Sequence, residues 1–179
     1  MSGLLAPLVW PALVDGVLGR YRLSLQGVHG PAHWLRVRAN GLALAARTPG
    51  ADPLVVELFA LFHDSERHDE GRDRGHGERA AVAVRRLAAE GGIMLADDRI
   101  GLLAEACAGH DRPQVSAEPT IGCCWDADRL DLSRLGHRPM PELLSTAAAL
   151  DSSLQAAAWE QGVAWALDTA GAADWGLRE

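Results

Sequence analysis

Three His-Asp dipeptides occur in the chain, His63-Asp64, His68-Asp69 and His110-Asp111. Each sets a neutral imidazole beside a carboxylate, the donor pair that suits a first-row divalent cation. Only His63-Asp64 comes directly after a helical run, VVELFALF, that is apolar apart from Glu57. Such a run delivers both polar side chains into the interior, where leaving them unpaired is costly and a bound ion removes the cost. The competing reading is a hydrogen-bonded helix end, with the histidine capping carbonyls and the aspartate paired to an arginine.

Two further positions stand out. Asp128 shares a helical face with Ile121, Cys124 and Leu135, so one carboxylate sits on a stripe that otherwise reads as buried. Asp131 falls on the same side, whereas Asp126 and Arg129 read as pointing elsewhere; an internal arginine pair is the alternative to a ligand role. His33 opens a helix, where the dipole helps keep the ring neutral and available. His29, four residues earlier, is a candidate support for it.

The elements that must position these groups read as helices. Apolar spacing predicts a first helix over residues 11–18, within an apolar N-terminal stretch that carries no basic leader and reads as core-packing. A second spans 33–47, and Asp52-Pro53 opens a third that ends at His63-Asp64. Residues 65–77, SERHDEGRDRGHG, read as a long polar surface loop. Helices follow over 77–90, over 97–109 with Asp97 or Asp98 as N-cap, and over 120–135, with one or two more beyond Pro139 and Pro141. No strand alternation lasts beyond a few positions. The expectation is an all-α chain, a compact irregular bundle of six to nine helices in a single domain over residues 1–179, with helices at about 141–170 packing on its core.

The order His33, His63-Asp64, Asp128 resembles the HD superfamily pattern H…HD…D. GVHGPAHWLRV is similar to the family's first-ligand motif with His33 in the ligand place, LFALFHD to its second, and WDADRLDL to the DADRL motif, whose second aspartate is here Asp128. The resemblance covers residues 27–136 and implies an HD-type fold with a divalent transition metal (Mn, Fe, Co, Ni or Zn) held by His33, His63, Asp64 and Asp128. In binuclear members two more histidines lie between the HD pair and the last aspartate. His76 and His110 occupy such places, so the resemblance allows one ion or two.

The implied reaction is hydrolysis of a small phosphorylated substrate, such as a nucleotide or sugar phosphate, by metal-activated water. Asp64 and Glu66 are then the catalytic candidates, although Glu66 sits at a different offset from the glutamate that protonates the leaving group in some nucleotidase members. Arg36, Arg67 and Arg129, with Arg72 or Arg74 of the polar loop, are candidates to grip phosphate, and His29 and Asp131 to support the ligands. Rival readings are the diiron oxygenase branch of the superfamily, which six ligands would favour, a non-catalytic module binding a metal or phosphorylated ligand, and, third, an HD nuclease.

Composition sets outer limits. The net charge of −7 argues against a general nucleic-acid or acidic-membrane surface. Every one of the 17 basic residues is arginine, which suits bidentate phosphate recognition but also fits a compositional bias toward Ala, Gly and Arg. Cys107 stands apart from the vicinal pair Cys123 and Cys124, a spacing that supports neither a disulfide framework nor a zinc finger and fits a reducing cytoplasm. No run approaches the roughly 20 apolar residues of a membrane span. Trp159, Trp165 and Trp175 read as core packing or as a partner surface, and a homo-oligomer is compatible with either.

Overall fold

The computed structural model describes residues 9–165 and 169–177; the expected packing of the stretch before Val9 lies outside the described residues. Eight α-helices are present among them: α1 Val9–Leu18, α2 Pro31–Ala45, α3 Pro53–Phe62, α4 His76–Ala89, α5 Asp97–Gly109, α6 Pro119–Leu130, α7 Ser152–Val163 and α8 Thr169–Asp174. Three 3₁₀ turns, Asp131–Leu135, Pro141–Leu143 and Ala148–Leu150, join α6 to α7. No strand occurs among the described residues, and no helix is long and apolar enough to cross a membrane. The three cysteines are free and buried.

Local chemistry explains the helix starts. Proline sits in the first turn of α2, α3 and α6, where its fixed φ suits the helix and its missing N–H costs nothing. Asp52 caps α3 by accepting from Leu54 N at 3.0 Å, Glu118 caps α6 by accepting from Ile121 N at 2.6 Å, and Asp151 caps α7. Gly75, at φ 91°, supplies the left-handed turn before α4. One expected cap differs. The residue before α5 is Ala96, which has no capping side chain; Asp97 and Asp98 lie in the first turn, where their charge still complements the dipole.

Helix α3 is the axis of the core, with Leu54, Val55, Val56 and Leu58 to Phe62 all buried. Against it lie α2, α5 and α6, and α4 packs on α5. Two glycines set these spacings. A Cβ on Gly41 would meet Val56 Cγ1 at 2.5 Å, and one on Gly77 would meet the Cys107 carbonyl oxygen at 2.4 Å, so α2 closes on α3 and α4 on α5 only because both are glycine. Trp10, Leu13, Val14 and Val17 bring α1 onto this core, and Trp175 stacks on Trp10 with ring centres 5.9 Å apart.

The expected helix over 120–135 is shorter than its sequence suggests. It ends at Leu130 and continues as a 3₁₀ turn, so the rotation per residue changes and Leu135, expected on the buried stripe, is 43% exposed. The three C-terminal tryptophans divide. Trp175 is buried, Trp159 lies under the Arg138 guanidinium at 4.2 Å, and Trp165, at φ 51°, is 44% exposed with Arg36 over its ring.

Candidate metal centre

Four buried imidazoles meet where α2, α3, α4 and α5 converge: His33 in the first turn of α2, His63 at the end of α3, His76 at the start of α4 and His110 at the end of α5. In each, Nδ1 faces an oxygen that can only accept. His33 donates to the Asp131 carboxylate at 2.7 Å, His76 to the Asp73 carbonyl at 2.7 Å, and His110 to the Cys107 carbonyl at 2.7 Å. His63 shares its proton between the Phe59 and Ala60 carbonyls at 3.2 and 3.1 Å. The partners of His63 and His110 are carbonyls in the last turns of α3 and α5, of which Phe59 O also accepts the His63 backbone N–H at 2.9 Å, so the helix ends themselves orient these rings.

With Nδ1 protonated, every neutral ring turns a lone pair on Nε2 toward the interior. His33 Nε2 lies 3.0 Å from His63 Nε2, and His76 Nε2 lies 2.9 Å from His110 Nε2. Lone pairs that close repel unless a proton or a cation lies between them. Asp64 stands between the two pairs: Oδ2 is 3.5 Å from His33 and 3.6 Å from His63, while Oδ1 is 3.1 Å from His76 and 3.6 Å from His110. Two triads result, His33-His63-Asp64 and Asp64-His76-His110, each with ligand atoms mutually within 4.8 Å. Asp128 Oδ1 adds a carboxylate 3.4 Å from His33 and 3.9 Å from His63, and at 19% side-chain exposure it is the open edge of the first triad. Neutral imidazoles plus carboxylates in this arrangement are a donor set for a divalent transition metal, and the residues fit that group.

The electrostatics show a centre that attracts positive charge, and they correct one expectation: the helix dipole does not keep His33 neutral, because three carboxylates favour its protonated form until a metal ion displaces the proton. Burial and the Arg134 guanidinium press the His33 pKa down, but hydrogen bonds to Asp128, Asp131 and Asp64 outweigh them and lift it to about 9. Burial raises the pKa of Asp64, yet His63, His110, His33 and His76 hold it well below the ordinary carboxylate range; Asp128 is lowered against burial by His33 and its neighbours. His63 goes the other way, its pKa pulled by burial to about 3. The centre draws positive charge and keeps its carboxylates ionised, as ligation requires.

No family model and no curated protein matches this chain in sequence. Among solved structures it is similar to a protein described as a predicted HD superfamily hydrolase from an uncultured Thermotogales bacterium, with a TM-score of 0.62 and 23% identity over 92% of both chains. The chain has the HD-domain fold. The motif resemblance and the architecture therefore agree.

On the HD-domain frame, several residues read from sequence take other positions than expected. Arg36 is no phosphate grip: it is 1% exposed and pairs with the buried Asp131 through Nε at 2.7 Å and Nη2 at 3.1 Å. Arg129 donates to the carbonyls of Leu143, Arg112 and Gln114, bracing the segment after α5 rather than facing the centre. Arg67 turns inward, onto Asp64 Oδ1 at 3.3 Å and His76 Nε2 at 3.2 Å. Glu66 lines a separate shallow cleft with Arg22, His68 and Arg79, and its carboxylate contacts none of the four histidines. The His29 ring lies edge-to-face with that of His33, centres 6.3 Å apart, but its hydrogen bond goes to Glu70 at 2.7 Å.

Asp126, expected to point outward, is fully buried and accepts from Ser145 N, Thr146 N and Thr146 Oγ1 at 2.8, 2.8 and 2.9 Å. Its partners lie about twenty residues downstream, in a segment whose approach no helical periodicity reveals. Asp131 accepts from His33 Nδ1 at 2.7 Å and also meets Arg36 and, at 3.5 Å, Arg134.

Proposed function

We propose that the protein is a metal-dependent phosphohydrolase acting on a small phosphorylated molecule such as a nucleotide or sugar phosphate. The supporting observation is the common orientation of four buried imidazoles, each with Nδ1 committed and Nε2 aimed at Asp64. The protein with a similar fold, described as a predicted hydrolase, supports the reaction class. A divalent ion bound there supplies Lewis acidity toward a phosphoryl oxygen and lowers the pKa of water toward about 7.

The chain's own residues supply the rest. Asp64 and Asp128 bring negative charge as ligands, and the partial exposure of Asp128 leaves the first triad open on one side, as a catalytic site requires and a structural one does not. Beside His76 a cleft of about 500 Å³ is lined by Arg67, Arg72, Arg74, Asp111 and Arg112, a size suited to a nucleotide or sugar phosphate. Arg72 and Arg74 in it are exposed and make no ion pair among the described residues, so they are the groups free to meet a phosphate.

The test is release of phosphate from a panel of nucleotides and sugar phosphates by protein loaded separately with Mn, Fe, Co, Ni and Zn. Release is expected with at least one metal, and it disappears with chelator, Asp64→Ala or Asp128→Ala. Equal release by metal-stripped protein, or none with any metal, contradicts the proposal; the latter leaves a binding module. The sharing of Asp64 between two triads favours a second reading, a diiron oxygenase. Iron loading without oxygen, followed by exposure to O₂, gives a mixed-valent diiron spectrum in that case and none in a hydrolase with one ion.

A further inference from the structure

We propose that the Arg67 guanidinium takes the cation's place in the second triad, so that the chain holds one ion at His33, His63, Asp64 and Asp128, with a fixed positive side chain beside it. The inference rests on the metal-site reading above. Its first support is geometric. His76 donates from Nδ1 to the Asp73 carbonyl, so its single remaining lone pair is on Nε2, and Arg67 Nη1 lies 3.2 Å from that atom. The same Nη1 is 3.3 Å from Asp64 Oδ1. Two of the three ligand atoms of the second triad are thus already met by one N–H-bearing nitrogen, and a lone pair cannot serve both an N–H and a metal ion.

The guanidinium is also anchored from behind. Nη2 donates to the Gly71 carbonyl at 2.7 Å and Nε to the Asp69 carbonyl at 3.3 Å, and the residue is 6% exposed. Residues 67–71 therefore close on their own arginine, and a second ion must break this ring of contacts to enter. In the first triad the nearest guanidinia, Arg36 and Arg134, pair with Asp131, on the Nδ1 side of His33, and among the described residues no guanidinium contacts the His33 or His63 Nε2 atoms.

Charge points the same way. The carboxylates around the imidazoles are Asp64, Asp128 and Asp131; among the described residues the guanidinia that pair with or lie against them are Arg36, Arg67 and Arg134. These six cancel, and Asp111, 4.0 Å from His76 Nδ1, is a third exposed and screened by water. One divalent ion leaves a centre of charge about +2, matched to a phosphate dianion; a second, displacing Arg67, would leave about +3 in a largely buried site, where uncompensated charge is costly. Arg67 thus supplies one positive charge where a second ion would supply two.

The test is ion count and affinity, measured by titrating Mn²⁺ and, separately, Zn²⁺ into the chelator-stripped full chain, with bound metal checked by elemental analysis. Wild type is expected to bind one ion over the range in which Arg67→Gln binds two, the second ion gaining about ten-fold or more in affinity, the worth of a hydrogen bond to a charged group. Arg67→Lys keeps the charge and is expected to keep the count at one. Two ions of similar affinity in wild type overturn the proposal, as does a count of one in folded Arg67→Gln or of two in Arg67→Lys. If Arg67→Gln does not fold, the wild-type and Arg67→Lys counts decide. Phosphate release plays no part in this readout, so a failed hydrolase assay and a failed ion count are separate results.

Discussion

Asp131→Asn isolates how His33 is made a ligand. The substitution keeps the shape of the side chain but replaces one accepting oxygen by an NH₂ group that only donates. Oδ2 accepts from His33 Nδ1 at 2.7 Å and from Arg36 Nη2 at 3.1 Å, and Oδ1 accepts from Arg36 Nε at 2.7 Å, so either orientation of the amide faces a donor with a donor. Facing His33, the clash is relieved by moving the imidazole proton to Nε2, which removes the lone pair aimed at the ion. Metal affinity is expected to fall about 10–100-fold, the usual effect of losing a group that orients a histidine ligand. Arg36, 1% exposed, also loses its buried counter-charge, a loss that costs about 3–5 kcal/mol. At about 2–4 °C per kcal/mol for a chain of this size, Tm falls roughly 6–20 °C. Affinity is read by competition with a chromogenic chelator at a temperature where both proteins are folded, and Tm by calorimetry in chelator. Wild-type metal affinity in a folded Asp131→Asn protein would refute the tautomer argument, whatever happens to Tm.

Other expectations follow from single contacts. Asp126→Ala removes three hydrogen bonds from a buried carboxylate to residues 145–146, and about 3 kcal/mol of stability is expected to go without change in metal affinity; a chemical denaturation series checks it. Gly77→Ala forces α4 away from the Cys107 carbonyl and His110, costing about 1–3 kcal/mol and separating His76 from His110, visible as altered imidazole shifts by NMR. A hydrogen bond from Arg79 pulls the Asp73 pKa down to about 2. Because this folded-state pKa lies below the unfolded value, the pair stabilises fully above about pH 4 and the benefit is lost as pH falls through about 2. The stability gap between wild type and Asp73→Asn should close over that window, and a gap unchanged at pH 2 would contradict it.

Much of the centre was legible because polar residues interrupt apolar helical faces at places where nothing else explains them. His63-Asp64 ends a helix buried on nearly all sides, and Asp128 is the least buried carboxylate of α6. The start of α3 was legible from Asp52-Pro53, whereas α2 and α6 begin at Pro31 and Pro119, just before the expected starts at 33 and 120, because proline is accepted in a first turn as well as in a break. What stayed hidden depends on contacts between segments far apart in sequence. Asp126 and Arg129 read as outward because a period of 3.6 assigns them to the far side of α6, yet residues 112–114 and 143–146 cover that side. Leu135 was misplaced because the helix tightens to 3₁₀ after Leu130. Arg36 could not be assigned to Asp131 rather than to phosphate, since its partner is 95 residues away. The inward turn of Arg67 depends on the closure of residues 67–71, and the orientation of the imidazoles on which carbonyl each Nδ1 meets; composition and spacing encode neither.

The most direct test of the metal centre is the metal content of wild type and Asp64→Ala, purified side by side without chelator and confirmed folded by circular dichroism. Asp64 is the carboxylate common to both triads, so wild type is expected to carry one divalent transition metal ion per chain and Asp64→Ala essentially none. A folded wild type that takes up no metal even when titrated, or an Asp64→Ala protein with undiminished metal content, would contradict the assignment of His33, His63, Asp64 and Asp128 as a metal centre.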